Sequence, residues 1–180
     1  VGTQELIYLT GMTQIENVVD GGVGADTIQL GEGNLALFLH DAFSGFNASL
    51  KLSTDSSGKA SMQRLENVEK IIGNDSDLNL IDLTSADEDY SLAGQTIMID
   101  GAGGRDVIWG SDADETIIGG DGDDELFGGA GTNSLTGGSG ADTFQFTRTS
   151  QNTSVTDFNV SDGDVLRFFN SGGAAFDTTS

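Results

Sequence analysis

The 180-residue chain has no cysteine and no proline, one histidine, one tryptophan, and only seven lysines and arginines. Without cysteine there is neither a disulfide framework nor a thiolate metal site. No run approaches the roughly 18 consecutive apolar residues of a membrane helix. The amino terminus shows no basic patch followed by an apolar run, so no Sec-type signal is expected in it. The chain starts at Val1 without a methionine and stops in AAFDTTS, as a piece cut from a longer protein would. The few bases face 29 acids, for a net charge of −22, which excludes nucleic acid or an anionic membrane as a natural partner and favours cations. Oxygen is the one plentiful ligand atom. A hydrophobic content of 36% suffices for one sizeable domain or two small ones.

What the chain has is glycine, 27 of them, and from Gly101 they keep a nine-residue beat. Five abutting units follow: GAGGRDVIW (101–109), GSDADETII (110–118), GGDGDDELF (119–127), GGAGTNSLT (128–136) and GGSGADTFQ (137–145). A sixth, GGVGADTIQ (21–29), stands far upstream. The pattern is G-G-x-G-x-D-x-U-x with U apolar. Three residues x-U-x make a short strand with one side chain inward and two outward, so Ile108, Ile117, Leu126, Leu135 and Phe144 are the expected core. Six residues remain for a tight turn, which glycine permits. Two units form one coil, coils stack about 4.8 Å apart, and residues two units apart become neighbours.

This stacking gathers the turns of units one, three and five on one edge and those of units two and four on the other. The first edge carries Asp106, Asp124 and Asp142 at the sixth position, with Asp121 and Asp123 from the middle turn. The second carries Glu115 and Asn133, with Asp112 and Asp114 nearby. Stacked carboxylates repel until cations neutralise them, so metal binding and folding are expected to be one event. Carboxylates and turn carbonyls, including those of Gly101, Gly104, Gly119, Gly122, Gly128, Gly131, Gly137 and Gly140, make a flexible all-oxygen cage that suits Ca²⁺ better than Mg²⁺. About three ions are expected in the roll, two on the Asp edge and a weaker one on the Glu115/Asn133 edge. At ten times the dissociation constant each adds roughly 1.4 kcal/mol to the folded state.

Other readings of these residues fail on pattern. A solvated Gly/Asp linker would not hold an apolar residue at the eighth position through five uninterrupted units. There is no G-x-x-x-x-G-K-[ST] phosphate loop, and the Asp112/Asp114 run lacks the Gly and Glu of an EF-hand. His40 follows an apolar run and reads as a packed or surface residue. Paired carboxylates held ionised by calcium do not suit glycosidase chemistry. The acceptor triplets at Asn47, Asn74 and Asn152 are too short to carry weight. Trp109 and Phe127, both at ninth positions of odd units, should stack on one outer face. A cover from the rest of the chain is expected there in preference to an exposed aromatic platform.

Upstream, QIENVVDGG (from Gln14) and RLENVEKIIGND (from Arg64) place E-N-V cores at Glu16 and Glu66, a degenerate long repeat. ASLKLST (48–54) and DSSGKA (55–60) read as strand and turn, and NLALFLHDAF (34–43) fits a strand or a short helix. GNDSDLNLIDL (73–83) is a worn nonapeptide with Asp77 near the ligand position, and QTIMID (95–100) is a strand leading into the first clean unit. Asp26 and Asp77 are further metal candidates. The tail segment VTDFNVSDGDVLRF (155–168) should cap the open end of the stack. The expected division is a β-rich, solenoid-like region with degenerate repeats over 1–100, a nonapeptide β-roll over 101–146 and a capping segment over 147–180.

Residues 101–168 resemble the RTX, or haemolysin-type calcium-binding repeat, family, in the nonapeptides and in DFNVSDGDVLRF. FSGFNASLKL and RLENVEKIIGND resemble inserted stretches of large RTX adhesins. The resemblance implies an all-β fold, a right-handed parallel β-roll or β-solenoid with calcium in the turns. It also implies type I secretion from a Gram-negative bacterium without a cleaved signal, and folding outside the cell. Departures from the pattern are Glu115 and Asn133 for the sixth-position Asp, and Ala102, Ser111 and Ala113 for glycines. No catalytic constellation occurs in these residues. The expected function is that of a non-catalytic, calcium-binding part of a secreted or cell-surface adhesin, without membrane insertion and as a monomeric module. The alternatives are the folding and secretion module of a secreted protease, lipase, epimerase or toxin, or a lectin-like domain using the Trp109 face for a glycan or protein ligand.

Overall fold

In the computed structural model the residues described are 6–9, 13–14, 18–20, 22–31, 35–39, 58–62, 64–75, 78–83, 92–148, 150 and 152–169. His40, the stretch 48–54, most of the 55–60 turn and Asp77 lie outside them. Every regular element among the described residues is a strand. In chain order these are β1 (Leu6–Leu9), β2 (Thr13–Gln14), β3 (Val18–Asp20), β4 (Thr27–Leu30), β5 (Leu35–Leu39), β6 (Gly58–Met62), β7 (Arg64–Glu66), β8 (Lys70–Ile72) and β9 (Asn79–Asp82). β10 (Thr96–Asp100), β11 (Val107–Ser111), β12 (Asp114–Asp121), β13 (Glu125–Gly129), β14 (Thr132–Ser139), β15 (Thr143–Phe146), β16 (Asn152–Val155) and β17 (Val165–Phe168) follow.

From β8 onward successive strands alternate between two facing sheets, and each pairs in parallel with the strand one coil away. The first sheet runs β1-β4-β8-β10-β12-β14-β16 and the second β17-β15-β13-β11-β9-β5-β6-β2, with β3 and β7 as a separate pair. This is a parallel β-solenoid, as the nonapeptide periodicity predicts. Ile108 pairs with Leu126, Leu126 with Phe144, and Ile117 with Leu135. Residues two units apart are therefore nearest neighbours.

The core is two facing columns of single side chains. Ile28, Ile71, Ile99, Ile117 and Leu135 line one sheet, and Ile81, Ile108, Leu126 and Phe144 the other, all buried. Each buried aliphatic or aromatic side chain contributes roughly 1.5–3 kcal/mol, and the columns extend without a break into the region upstream of Gly101. Within the 34–43 stretch, where strand and helix were both open, the described residues Leu35–Leu39 are the strand β5.

Three features differ from the sequence expectation. β12 and β14 are eight residues long, because the backbone continues to pair through the first glycines of the next turn instead of leaving the sheet after x-U-x. The two E-N-V segments meet as β3 and β7, but in a shifted register, Val18 opposite Arg64. The tail expected to cap the stack continues its strand pairing. β16 pairs with β14 in the first sheet and β17 with β15 in the second, so the tail adds one further, slightly longer coil.

Candidate metal centre

The sixth residue of each nonapeptide sits at the point where a turn enters a strand, and there its side chain reaches along the stack. On the edge feeding the second sheet, Asp106 Oδ1 accepts the Asn79 backbone N–H at 2.7 Å and its Nδ2–H at 3.0 Å. Asp124 Oδ1 accepts the Asp106 N–H at 2.7 Å, and Asp142 Oδ1 the Asp124 N–H at 2.9 Å. Asp164 Oδ1 accepts the Asp142 N–H at 3.0 Å. On the other edge Asn133 Oδ1 accepts the Glu115 N–H at 2.9 Å. Further up, Glu69 Oε2 accepts the Asp26 N–H at 2.8 Å, and the apolar Ile97, paired with Glu115, interrupts the series.

Asp164 uses both oxygens, its Oδ2 accepting the Asn159 N–H at 2.8 Å, whereas the acids of the nonapeptides in these ladders each use one. The second, Oδ2 of Asp106, Asp124 and Asp142 and Oε2 of Glu115, is buried and has no hydrogen-bond partner. A main-chain carbonyl lies near those of Asp106, Glu115 and Asp124. A side-chain carbon at Gly101 would meet Asp106 Oδ2 and the Gly119 carbonyl, each at 2.5 Å. One at Gly110 would meet the Gly128 carbonyl at 2.5 Å and Glu115 Oε2 at 3.1 Å. At Gly119 it would collide with Asp124 Oδ2 and the Gly137 carbonyl, and at Gly137 with Asp142 Oδ2. The first glycine of a unit is thus required by the oxygens packed beside it.

A buried carboxylate oxygen facing carbonyls rather than donors calls for a proton or a cation. The protonation equilibria reflect this. Burial, with repulsion from Asp124 added and the Asn79 hydrogen bonds opposing, pushes Asp106 up to about 8. Burial, reinforced by Asp112 and Asp114 against the Ser111 hydrogen bonds, pushes Glu115 up to about 7. Burial raises Asp124 to about 6 and also raises Asp142, each against one ladder hydrogen bond. An all-oxygen set of this kind fits a hard cation such as Ca²⁺.

The remaining expected ligands occupy different surroundings. Asp121, Asp123 and Asp114 are exposed and Asp112 is half-buried. Asp123 Oδ1 accepts the Ala141 N–H at 2.9 Å, Asp114 Oδ1 the Thr132 N–H at 2.7 Å and Asp112 Oδ1 the Leu92 N–H at 2.7 Å. Among the described residues no three acidic or imidazole side chains converge on one point, so an ion in these turns would draw on main-chain carbonyls. The fourth-position glycines stack on one another. Gly122, at φ 133°, lies so close to the Gly104 carbonyl that no side chain fits between, and Gly140 packs on Gly122 in the same way. Gly131 lies against the Ala113 carbonyl and Gly128 against the Asn133 side chain.

The departures from the repeat pattern acquire reasons. Ser111 replaces a glycine at the end of β11, where its hydroxyl and N–H both donate to Glu115 Oε1. Asn133 occupies the ladder with an amide, its oxygen accepting from Glu115 and its Nδ2 donating to the Ala130 carbonyl at 2.6 Å. Ala102 keeps the glycine-like φ of 74°.

Sequence reasoning missed four residues of this system. Asn79 heads the Asp ladder from a turn one residue longer than the repeat, which hides it from a nine-residue alignment. Asp164 was legible, since Asp164-Val165-Leu166-Arg167 repeats D-x-U-x. Asp157 accepts the Gly137 and Gly138 N–H groups at 3.0 and 2.8 Å, and Glu69 has no repeat signal. Trp109 and Phe127, 2% and 6% exposed, pack edge to face at 6.1 Å with Leu80 and Val107. Both side chains are buried.

The model of the RTX calcium-binding nonapeptide repeat matches residues 16–34, 98–123 and 109–144. No curated protein and no solved structure matches the chain.

Proposed function

Taking as its premise that this chain is an RTX repeat protein with a calcium-binding β-roll, we propose that the roll folds as calcium enters its turns, after export through a type I system, as a non-catalytic part of a secreted or cell-surface adhesin. The observation that carries this reading is the set of buried, unpartnered oxygens on Asp106, Asp124, Asp142 and Glu115. Those four residues, with carbonyls of the adjoining glycine turns, would hold the ions. Bound calcium supplies positive charge to carboxylates that otherwise repel one another across the stack.

About three ions belong to the roll, two along Asp106, Asp124 and Asp142 and a weaker one at Glu115, where Asn133 brings no charge. Asp26 and Asp77 are outlying candidates. Before calcium is met, the acids keep the chain open, which suits passage through a narrow exporter. Equilibrium dialysis against radioactive calcium tests the reading. Uptake of about three ions per chain, lost one at a time on Asp106→Ala, Asp124→Ala and Glu115→Ala, is expected. Absence of stoichiometric uptake at millimolar calcium would reject it.

The second reading, a folding and export module for a secreted enzyme or toxin, shares this calcium chemistry and differs only in what is joined to it. A lectin-like role for Trp109 is disfavoured by the burial of that side chain.

A further inference from the structure

Asn79 opens β9 at the upstream end of the Asp edge, and the turns on its two sides stack as the nonapeptide turns do. A side-chain carbon added at Gly101 would meet Asp106 Oδ2 and the Gly119 carbonyl, and one at Gly119 would meet Asp124 Oδ2 and the Gly137 carbonyl. One added at Gly73 would meet Asn79 Nδ2, at 2.7 Å, and the Gly101 carbonyl. The amide nitrogen of Asn79 therefore occupies the place that the second carboxylate oxygen holds in Asp106 and Asp124. The backbone keeps the same ladder, since the Asn79 N–H donates to Asp106 Oδ1 as the Asp106 N–H does to Asp124 Oδ1.

The chemistry at that place is reversed. In the repeats an acceptor lies beside a carbonyl, and only a cation or a proton reconciles the two. In Asn79 a donor lies there instead. Its buried Nδ2–H group reaches the Gly101 carbonyl and Asp106 Oδ1, each at 3.0 Å, and the Asn74 carbonyl at 3.2 Å. The other end of the amide fixes this orientation, because Asn79 Oδ1 accepts the Asn74 backbone N–H at 3.3 Å and the Asn74 Nδ2–H at 2.8 Å. On the premise that the nonapeptide turns bind calcium, we propose that the Asn79 amide takes the place of an ion, so that the junction between the 73–79 and 101–106 turns closes without metal and calcium dependence begins at Asp106. The outlying candidate Asp77 then has no ion to share at that junction.

Asn79→Asp puts the second acceptor back and should create a calcium site that the wild type lacks. Equilibrium dialysis against radioactive calcium should find one more ion per chain in Asn79→Asp than in the wild type, and no change in Asn79→Ala. A readout without variants is the Asn79 side-chain amide, whose protons should exchange slowly by nuclear magnetic resonance in the calcium-loaded wild type. Equal uptake by Asn79→Asp and wild type overturns the proposal, as does failure of Asn79→Asp to fold in saturating calcium, where the ion should offset the added charge. Loss of a single ion in Asn79→Ala with unchanged circular dichroism would make Asn79 a ligand and also overturns it, as does free exchange of the side-chain amide. A wild type that takes up no calcium rejects the premise itself, which distinguishes the two failures.

Discussion

The Asp106 backbone N–H donates to Asp124 Oδ1 at 2.7 Å, 18 residues along the chain and one coil along the stack. Asp124 itself offers its second oxygen to nothing. With one oxygen this carboxylate sets the register between coils, and its other oxygen is buried without a hydrogen-bond partner, the position the proposal gives to calcium. Several consequences separate these two jobs.

Asp124→Asn keeps the register-setting oxygen and replaces the other with an amide that can donate to the neighbouring carbonyls, the arrangement already used by Asn133. The variant should fold more readily than wild type in chelator and bind calcium less well. Asp124→Ala loses both roles and should be weaker in either condition. Its loss should exceed that of Asn133→Ala, since no charge is removed at Asn133. Melting temperature with and without calcium distinguishes the three.

The pH dependence of the metal-free roll should run opposite to that of an ordinary acidic protein. Asp106, Glu115 and Asp124, at about 8, 7 and 6 in the folded state, hold protons that the unfolded chain releases near its ordinary carboxyl range. Between about pH 4 and 8 the folded state therefore binds more protons, and its stability falls as pH rises. Thermal melts in chelator should be highest near pH 5 and decline towards pH 8. In saturating calcium the cation replaces the proton, and stability should rise over the same interval.

Ala102 sits at φ 74°, a conformation that costs an L-residue about 1–2 kcal/mol. Ala102→Gly relieves that strain at some entropic cost in the unfolded chain and should stabilise the roll by about 0.5–1 kcal/mol. Gly122→Ala is its mirror. It adds a methyl group at φ 133° against the Gly104 carbonyl and should cost about 2–4 kcal/mol. Chemical denaturation in calcium measures both.

The solenoid, its coil length and its five inward residues were legible because the apolar position recurs at fixed spacing, and a period needs no structure to be seen. The sixth-position acids were legible for the same reason. What the period could not convey was the sharing of each carboxylate between a main-chain donor and an open side, which depends on the stacking distance of coils. Asn79 was hidden by a one-residue insertion in its turn. The tail's break from the nine-residue period pointed to a terminal segment but did not convey that its two strands, β16 and β17, join opposite sheets. The acids at third and fifth positions were grouped with Asp124 by sequence proximity, yet the turn directs Asp121 and Asp123 outward while Asp124 is buried.

The most direct test is a far-ultraviolet circular dichroism titration of the chelated protein, first with calcium and then, in a separate sample, with magnesium. A transition from coil to β structure with calcium at about millimolar concentration, absent with magnesium, is the predicted result. Retention of the full β signature in chelator, with no further change on adding calcium, would contradict the claim that these turns close around metal.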